Sequence, residues 1–333
     1  MPVSSRRGTW IAAAAALSCV CAGLWLARSG TAAMRFEKPI TIVVTFPPGG
    51  GTDLLARRIG AVLQERLGQT VVVENRPGAS GNIGARIVAE APGDGSTLLM
   101  VNSSFAINPG VYKQLDFDPR KDFKAVVNAG YIASVLVVPQ QSTLHSLADA
   151  LQQANALSGL PGLSFASCGN GTPQHMAGEM LAQSTRTRFQ HVPYKGCGPA
   201  ITAVAAGQVP LGVVTASSAA PLIAAGRVRA IAITSAQRVA QLPDVPTVAE
   251  QGVPGFEVQQ WHGLLAPAAT RDDVVGHLHE VIKQLLADPA MQQSLKEQGY
   301  TPAQESAAQF EQLIAADIGR YEKVAKQLEL KVD

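Results

Sequence analysis

The feature that most constrains this chain is a β-branched run that leads through a glycine-rich loop directly into a helical pattern. Residues 39–46 read PITIVVTF, residues 47–53 read PPGGGTD, and residues 54–63 carry apolar side chains at helical spacing. This order predicts a strand, a tight loop and a helix. The unit recurs over residues 70–91, and a further strand is predicted at 96–101. Repeated units of this kind predict an α/β fold with a parallel sheet covered by helices on both faces.

A second series of elements is predicted after residue 134. Strands alternate with helical patterns, with strands at 135–138, 163–166, 189–193, 209–214 and 228–234 and helices at 144–156, 173–183 and 200–206. Residues 272–287 and 306–328 also have helical periodicity. Ser306 with Gln309, and Thr247 with Glu250, have capping-box spacing, which predicts helix starts.

The length of the chain predicts two lobes. Its 333 residues exceed the roughly 100 to 200 residues of one domain. If the C-terminal helices return to the first lobe, the chain crosses between lobes near 126–131 and 256–261, which makes a hinge. The expected organisation is a signal peptide at 1–33, lobe 1 at 36–130 plus 262–333, and lobe 2 at 131–261.

The N-terminal segment is interpreted as a secretory signal. Arg6 and Arg7 precede an alanine-rich apolar run at 10–26, and small residues up to Ala33 suit cleavage there, which predicts export to the periplasm. Three alternatives stay open: the run is a retained membrane anchor, the arginine pair marks twin-arginine export, or Cys19 is lipidated.

Composition and residue spacing argue against several classes of protein. The chain has 27 Lys and Arg against 25 Asp and Glu, and no basic cluster is interleaved with aromatic residues, so a nucleic-acid partner is not expected. An apolar content of 47% excludes disorder. His191 and His262 are isolated in the sequence and are interpreted as structural, so no metal and no cofactor are predicted.

Two glycine-rich loops carry the expected chemistry. Residues 48–53 and 167–173 each follow a predicted strand and precede a predicted helix, so both should present backbone N–H groups and a positive helix end to one cleft. A carboxylate is the natural guest. The alternative is a tight turn in which Thr52 or Asp53 merely caps a helix. Neither loop contains Lys or Arg, so recognition would rest on N–H groups, hydroxyls and water.

Two cysteines remain after signal cleavage, and the sequence leaves their chemistry open. Cys168 and Cys197 lie in loops that could meet, which gives either a disulfide bracing the cleft or two buried free thiols. The competing function is a cleft enzyme in which Cys168 is a nucleophile paired with His175 or His191. The spacing GxxGxxG at 78–84 is a weaker indication of a dinucleotide-binding dehydrogenase.

Five motifs follow one another along the chain: FPPGGGTD at 46–53, ENRPG at 74–78, DGSTLL at 94–99, HVPYKG at 191–196 and LPDVPTVAE at 242–250. Together and in register they resemble the Bug family, the substrate-binding receptors of tripartite tricarboxylate transporters. The resemblance spans about 39–267. It implies an α/β type II periplasmic-binding-protein fold, with two Rossmann-like lobes, an interdomain cleft and a hinge.

The resemblance also implies a function and a set of site residues. The protein would be a non-enzymatic monomeric receptor for a small di- or tricarboxylate, acidic amino acid or aromatic acid, which it presents to a membrane permease or a signalling partner. The implied ligand-binding residues lie in four loops: Pro48, Gly49, Gly50, Thr52 and Asp53; Asn102, Ser103 and Ser104; Ser167, Gly169, Gly171 and Thr172; Tyr194 and Lys195. The sequence departs from the family pattern at Pro210, Thr215, Ala216 and His262, so the resemblance does not name the ligand.

Overall fold

The computed structural model describes residues 36–157 and 162–331. The predicted signal peptide lies outside these residues. The strands are β1 (Ile40–Val44), β2 (Val71–Asn75), β3 (Thr97–Asn102), β4 (Phe123–Pro139), β5 (Leu163–Ser167), β6 (Phe189–Pro193), β7 (Leu211–Thr215), β8 (Val228–Ile233), β9 (Gln259–Pro267) and β10 (Tyr300–Thr301). The α-helices are α1 (Gly51–Leu67), α2 (Asn82–Ala89), α3 (Ser104–Val111), α4 (Leu147–Ala156), α5 (Pro173–Thr185), α6 (Cys197–Ala205), α7 (Ala216–Ala224), α8 (Asp272–Leu286), α9 (Pro289–Glu297) and α10 (Ala307–Gln327).

The strands form one mixed sheet with two halves. In the first half β2, β1 and β3 are parallel, and β9 pairs antiparallel with both β3 and β4. In the second half β4 pairs antiparallel with β7 and β8, while β5 lies parallel between β7 and β6. Because parallel strands end at the same edge, the loops after β5, β6 and β7 gather in one place.

The long strand β4 belongs to both halves. It has 17 residues, of which 123–133 pair with β9 and 134–139 pair with β7 and β8. Alternate side chains of its second part enter opposite cores: Leu136 and Val138 pack with Phe165 on one face, and Val135 and Val137 lie in the cluster on the other. Such burial on both faces explains the continuous apolar sequence of this strand.

The C-terminal helix α10 packs on the first half of the sheet. The Nε1 of Trp261 donates to the Asp317 carboxylate at 2.8 Å, and Phe310 packs edge-on against the same indole with ring centroids 5.2 Å apart. Arg120 pairs with Glu322 at 2.8 Å. Within the described residues, no helix is both long and apolar enough to cross a membrane.

Several elements differ from the sequence prediction. Residues 126–131, predicted as a crossover, lie inside β4, and the second crossover at 256–261 runs into β9. Thr247 and Glu250 make both capping-box hydrogen bonds, but only a turn follows them. The box at Ser306 and Gln309 does begin a helix, as predicted. Helices α3, α7 and α9 are absent from the prediction.

Candidate functional site

A cavity of about 300 Å³ lies where the loops after β1, β5, β6 and β7 converge. Its walls come from both halves of the sheet. Ile132 of β4, Gln260 and His262 of β9, and Tyr300 of β10 complete the lining. The described residues that line this cavity include one charged side chain, Lys195, and no carboxylate.

Four of the described helices begin at this cavity. Their N-cap residues, Gly50 of α1, Thr172 of α5, Gly196 of α6 and Thr215 of α7, all line it. The two threonines cap their helices, because their hydroxyls accept from the N–H groups of His175 and Ser218. The two glycines supply no side-chain cap, so the first-turn N–H groups of α1 and α6 keep their capacity to bind a ligand.

Asp53 fixes the conformation of the first glycine-rich loop (residues 48–53) from the side away from the cavity. Its carboxylate accepts from Gly49 N at 2.9 Å, from Arg57 Nε at 3.1 Å and from Asn75 Nδ2 at 2.9 Å. Burial alone would raise the pKa of this carboxyl, but these hydrogen bonds outweigh burial and lower the pKa. Asp53 is therefore an anion that is already fully engaged, and it lies behind the wall of the cavity with 2% of its surface exposed.

The second loop is held by Ser167 and Thr172. Ser167 Oγ accepts from Gly169 N at 3.1 Å, and Thr172 Oγ1 donates to Gly169 O at 2.7 Å. Gly169 and Gly171 have φ values of 131° and 67°, a region that other residues rarely adopt. A side chain at Gly171 would meet Asn108 Oδ1 at 2.9 Å, so glycine also allows this loop to approach α3.

Two histidines support the same loop from its buried side. The rings of His175 and His191 stack with centroids 3.8 Å apart, and His191 Nε2 lies 2.6 Å from Ser167 Oγ. Burial lowers the pKa of His175 to about 4, and burial together with His175 lowers that of His191 to about 3. Both rings are therefore neutral near pH 7, which allows them to stack without repulsion.

The structure brings some of the residues predicted to bind ligand to the cavity. Those that line it are Pro48, Gly49, Gly50, Thr52, Asn102, Thr172 and Lys195. Gly169 and Tyr194 line an adjoining cavity of about 540 Å³. Five others do not line either cavity: Asp53, Ser103, Ser104, Ser167 and Gly171. Ser103 and Ser104 are fully buried at the start of α3.

Several lining residues were not predicted as binding residues from the sequence. Gln174, Gln260, His262 and Tyr300 come from a helix and two strands, outside the glycine-rich loops. Among these four residues, only His262 could have been suspected from the sequence, because it departs from the family pattern. From the sequence it is interpreted as a structural histidine because it is isolated. Nothing near Tyr300 in the sequence marks it, because its place depends on the pairing of β10 with β4.

A disulfide joins the loop after β5 to the start of α6. Cys168 and Cys197 are bonded across 29 residues of sequence, with Cα atoms 4.3 Å apart, and both line the cavity. The parallel pairing of β5 with β6 brings their C-terminal loops together, as Tyr194 N to Ser167 O at 3.1 Å shows. In this form Cys168 has no free thiolate for nucleophilic attack. In the described part of the chain, no group of three His, Cys, Asp or Glu is placed to hold a metal ion.

Comparison with known proteins identifies the relatives of this chain. Residues 55–330 match the sequence profile of the tripartite tricarboxylate transporter family receptor. A protein from the tcbD-tcbE intergenic region of Pseudomonas sp. (strain P51) is 39% identical over 321 residues, which cover 94% of this chain and 95% of that protein. BugT of Bordetella pertussis is 33% identical, with 93% and 97% covered.

Solved structures of relatives share the fold. Rpa4515 of Rhodopseudomonas palustris, solved with adipate, has a TM-score of 0.83 and 34% identity, covering 89% of this chain and 99% of that one. MatC from the same organism, solved with malate, has a TM-score of 0.80 and 30% identity, with 87% and 99% covered. The likeness confirms the predicted two-lobe periplasmic-binding-protein fold.

These relatives decide between the two functions considered from the sequence. The family consists of solute-binding receptors located in the periplasm, and its members are not enzymes. The interpretation of this chain as a cleft enzyme using Cys168 with His175 or His191 is therefore wrong. The chain belongs to the family of tripartite tricarboxylate transporter receptors.

Proposed function

We propose that this receptor binds a small carboxylic acid in the 300 Å³ cavity and presents it to the permease of a tripartite transporter. The observation that carries the proposal is the convergence of four helix N-termini, two of them capped by glycine, on one cavity. One ligand carboxylate would accept from the N–H groups at the starts of α1 and α6. Helix N-termini favour anions because their unpaired N–H groups and the helix dipole act together.

The charge of the lining supports an anionic guest. Lys195 contributes one positive charge, and the described lining contains no competing carboxylate. Asp53, the nearest acid in the first loop, is already neutralised by Arg57 at 2.9 Å. The positive electrostatic potential of the cavity therefore comes from helix dipoles and one exposed lysine. Recognition of this kind is expected to weaken with salt, since exposed charges are screened.

The size of the cavity supports a small ligand. About 300 Å³ is at the lower end of the range for small-molecule sites. Relatives of the same fold were solved with adipate and with malate, both dicarboxylates. We take di- and tricarboxylates, acidic amino acids and aromatic acids as the class to be tested.

The lobe boundaries, the export of the protein and its partner complete the proposal. Lobe 1 would comprise 36–130 plus 262–333 and lobe 2 would comprise 131–261, closing over the ligand by bending where β4 and β9 pass between them. The signal peptide would direct export and be cleaved near Ala33, and the mature receptor would act as a monomer. Its partner would be a membrane permease or, in the alternative, a signalling protein.

A thermal-shift screen of residues 34–333 tests the proposal. The protein is titrated with carboxylic acids and with the matched neutral amides. An acid at about 100 times its dissociation constant should stabilise the protein by roughly 2.7 kcal/mol, and its amide should not. If ligand-free, folded protein responds to none of the acids, the carboxylate assignment is overturned. A decrease in radius of gyration on saturation, measured by small-angle X-ray scattering, would support lobe closure.

A further inference from the structure

Two buried polar atoms of residues that line the cavity have no hydrogen-bond partner in the described part of the protein. They are Nδ1 of His262 and the hydroxyl of Tyr300. His262 is 1% exposed and Tyr300 is 3% exposed, and both residues line the cavity. Leaving such buried groups unpaired costs about 1–3 kcal/mol each. Because both residues line the cavity, we expect a bound ligand to supply the missing hydrogen-bond partner.

A chain of side chains fixes which nitrogen of His262 carries the proton. Gln174 Nε2 donates to Ser134 Oγ at 2.9 Å and to Gln260 Oε1 at 3.0 Å. This contact turns the amino group of Gln260 toward His262, whose Nε2 lies 2.9 Å away. Since an amino group only donates, Nε2 accepts. Burial lowers the pKa of His262 and keeps the ring neutral, so the single proton lies on Nδ1 and makes that atom a donor.

Tyr300 provides a second donor on a ring that contacts the ring of His262. Its ring lies 5.1 Å from that of His262 in an edge-on contact. A Cβ at Gly51 would lie 2.5 Å from the hydroxyl, so the absence of a side chain at Gly51 leaves room for Tyr300 at the start of α1. Burial raises the pKa of the phenol, which therefore keeps its proton and can donate.

We propose that His262 and Tyr300 form a donor pair that binds an acceptor oxygen on a second group of the ligand. This inference rests on the proposed function, in which the helix N-termini hold the first carboxylate. It assigns selectivity for dicarboxylates over monocarboxylates of equal chain length. A terminal methyl group in the same place would leave both donors unpaired, and sites built to hydrogen-bond a polar group reject analogues that lack it.

The test is isothermal titration of the mature protein with matched acids. The probes are succinate, glutarate and adipate, each compared with the monocarboxylate of the same chain length, butyrate, pentanoate or hexanoate. At least one diacid should bind about tenfold or more tightly than its monoacid, as expected for hydrogen bonds to a charged group. Tyr300→Phe and His262→Leu should each remove most of that ratio by weakening diacid binding alone.

Two further variants keep the test specific. His262→Asn places an amide nitrogen near the position of Nδ1 and should restore part of the ratio, which a merely structural histidine would not allow. Tyr321→Phe is the matched control, because Tyr321 is a buried tyrosine of α10 that does not line the cavity. This control should bind every acid as the unmodified protein does.

The outcomes separate the inference from the function on which it rests. Equal affinity for diacids and monoacids, or a ratio unchanged in Tyr300→Phe and His262→Leu, would overturn the donor pair and leave carboxylate binding standing. Binding of none of these acids would overturn the inference, and the thermal-shift screen then decides the proposed function separately. A variant that unfolds is identified by circular dichroism, and the remaining variant then decides the result.

Discussion

Gly178 and Gly276 both lie inside helices, yet their surroundings differ. A Cβ at Gly178 of α5 would lie 2.3 Å from the ring of Phe165, whereas a Cβ at Gly276 of α8 would meet nothing within 4 Å. The first glycine is required because α5 lies directly on β5, the strand that leads to the second loop. The second is an exposed position where glycine only adds conformational freedom to the unfolded chain.

Alanine at these two positions should change stability in opposite directions. Gly178→Ala should lower the free energy of unfolding by about 1–3 kcal/mol through overpacking against Phe165. Gly276→Ala should raise it by about 0.5–1 kcal/mol, because alanine favours the helix. Urea denaturation measures both. Equal effects of the two variants would show that the packing of α5 on β5 is not as tight as described.

Asp53 should give the protein a stability component that depends on pH. Its folded pKa is lowered, so the component is present above the unfolded pKa of about 3.9 and is lost as pH falls through the folded value. Asp53→Asn should cost about 2 kcal/mol at pH 7, because it loses the charge-assisted hydrogen bonds from Gly49 and Arg57. The difference from the unmodified protein should shrink below about pH 4. Chemical denaturation at about pH 7 and about pH 3.5 measures it, and a difference independent of pH would contradict this role.

At the scale of elements, the start of α10 depends on a complete capping box. Ser306 accepts from Gln309 N, and the Gln309 side chain accepts from Ser306 N at 2.9 Å. Ser306→Ala should lower the free energy of unfolding by about 1 kcal/mol. Ser306→Asp should keep the stability of the unmodified protein, since Asp caps a helix as well as Ser does. Denaturation curves of the two variants decide this. Equal losses would mean that the packing of α10, and not its cap, sets its stability.

The disulfide joins two loops and should be detectable without ligand. Peptide mapping of unreduced protein should recover the Cys168 and Cys197 peptides as one linked species. Replacing both with serine should lower stability by about 2–4 kcal/mol, as expected for closing a loop of this size. Recovery of two free thiols would contradict the bond. Because both residues line the cavity, the double variant changes the bracing of the loops and the cavity lining together.

Most elements were predictable from the sequence because their periodicity is local. The strand–loop–helix unit at 39–63 and the strand at 189–193 follow from β-branched runs and glycine punctuation alone. Helices α3 and α7 were not predictable from the sequence, because each is short and contains a proline, Pro109 in α3 and Pro221 in α7. Thr247 shows the converse: its capping hydrogen bonds form without a helix, so the box marks a turn of the chain but does not by itself determine whether a helix begins there.

The candidate site was predictable as far as the loops that carry its backbone donors. Gly49, Gly50 and Thr172 could be placed because a glycine-rich loop before a helix has a local signature. Asp53 and Ser167 lie in the same loops, but their side chains turn inward to hold them, and sequence position does not reveal that direction. His262 and Tyr300 required the tertiary pairing of β9 and β10 with β4.

At the scale of the whole molecule, the cavity is assembled from segments far apart in the chain. The loop near residue 50 and the loops near residues 170, 196 and 215 line the cavity together, and Gln260, His262 and Tyr300 complete the lining. The two halves are also linked across the cleft, where the Ser80 hydroxyl donates to Asn170 O. A ligand in the cavity would therefore contact segments from both halves of the described chain.

The unbroken strand β4 affects how the protein unfolds. Its hydrogen bonds to β9 and to β7 lie on one continuous backbone, so neither half can lose its sheet without fraying the strand that the other half needs. Calorimetry of the ligand-free protein should accordingly show one transition, with equal calorimetric and van't Hoff enthalpies. Two resolved transitions would show that the halves melt independently. In mechanical terms, we expect the receptor to behave as a single cooperative unit in which the proposed hinge is also part of the core.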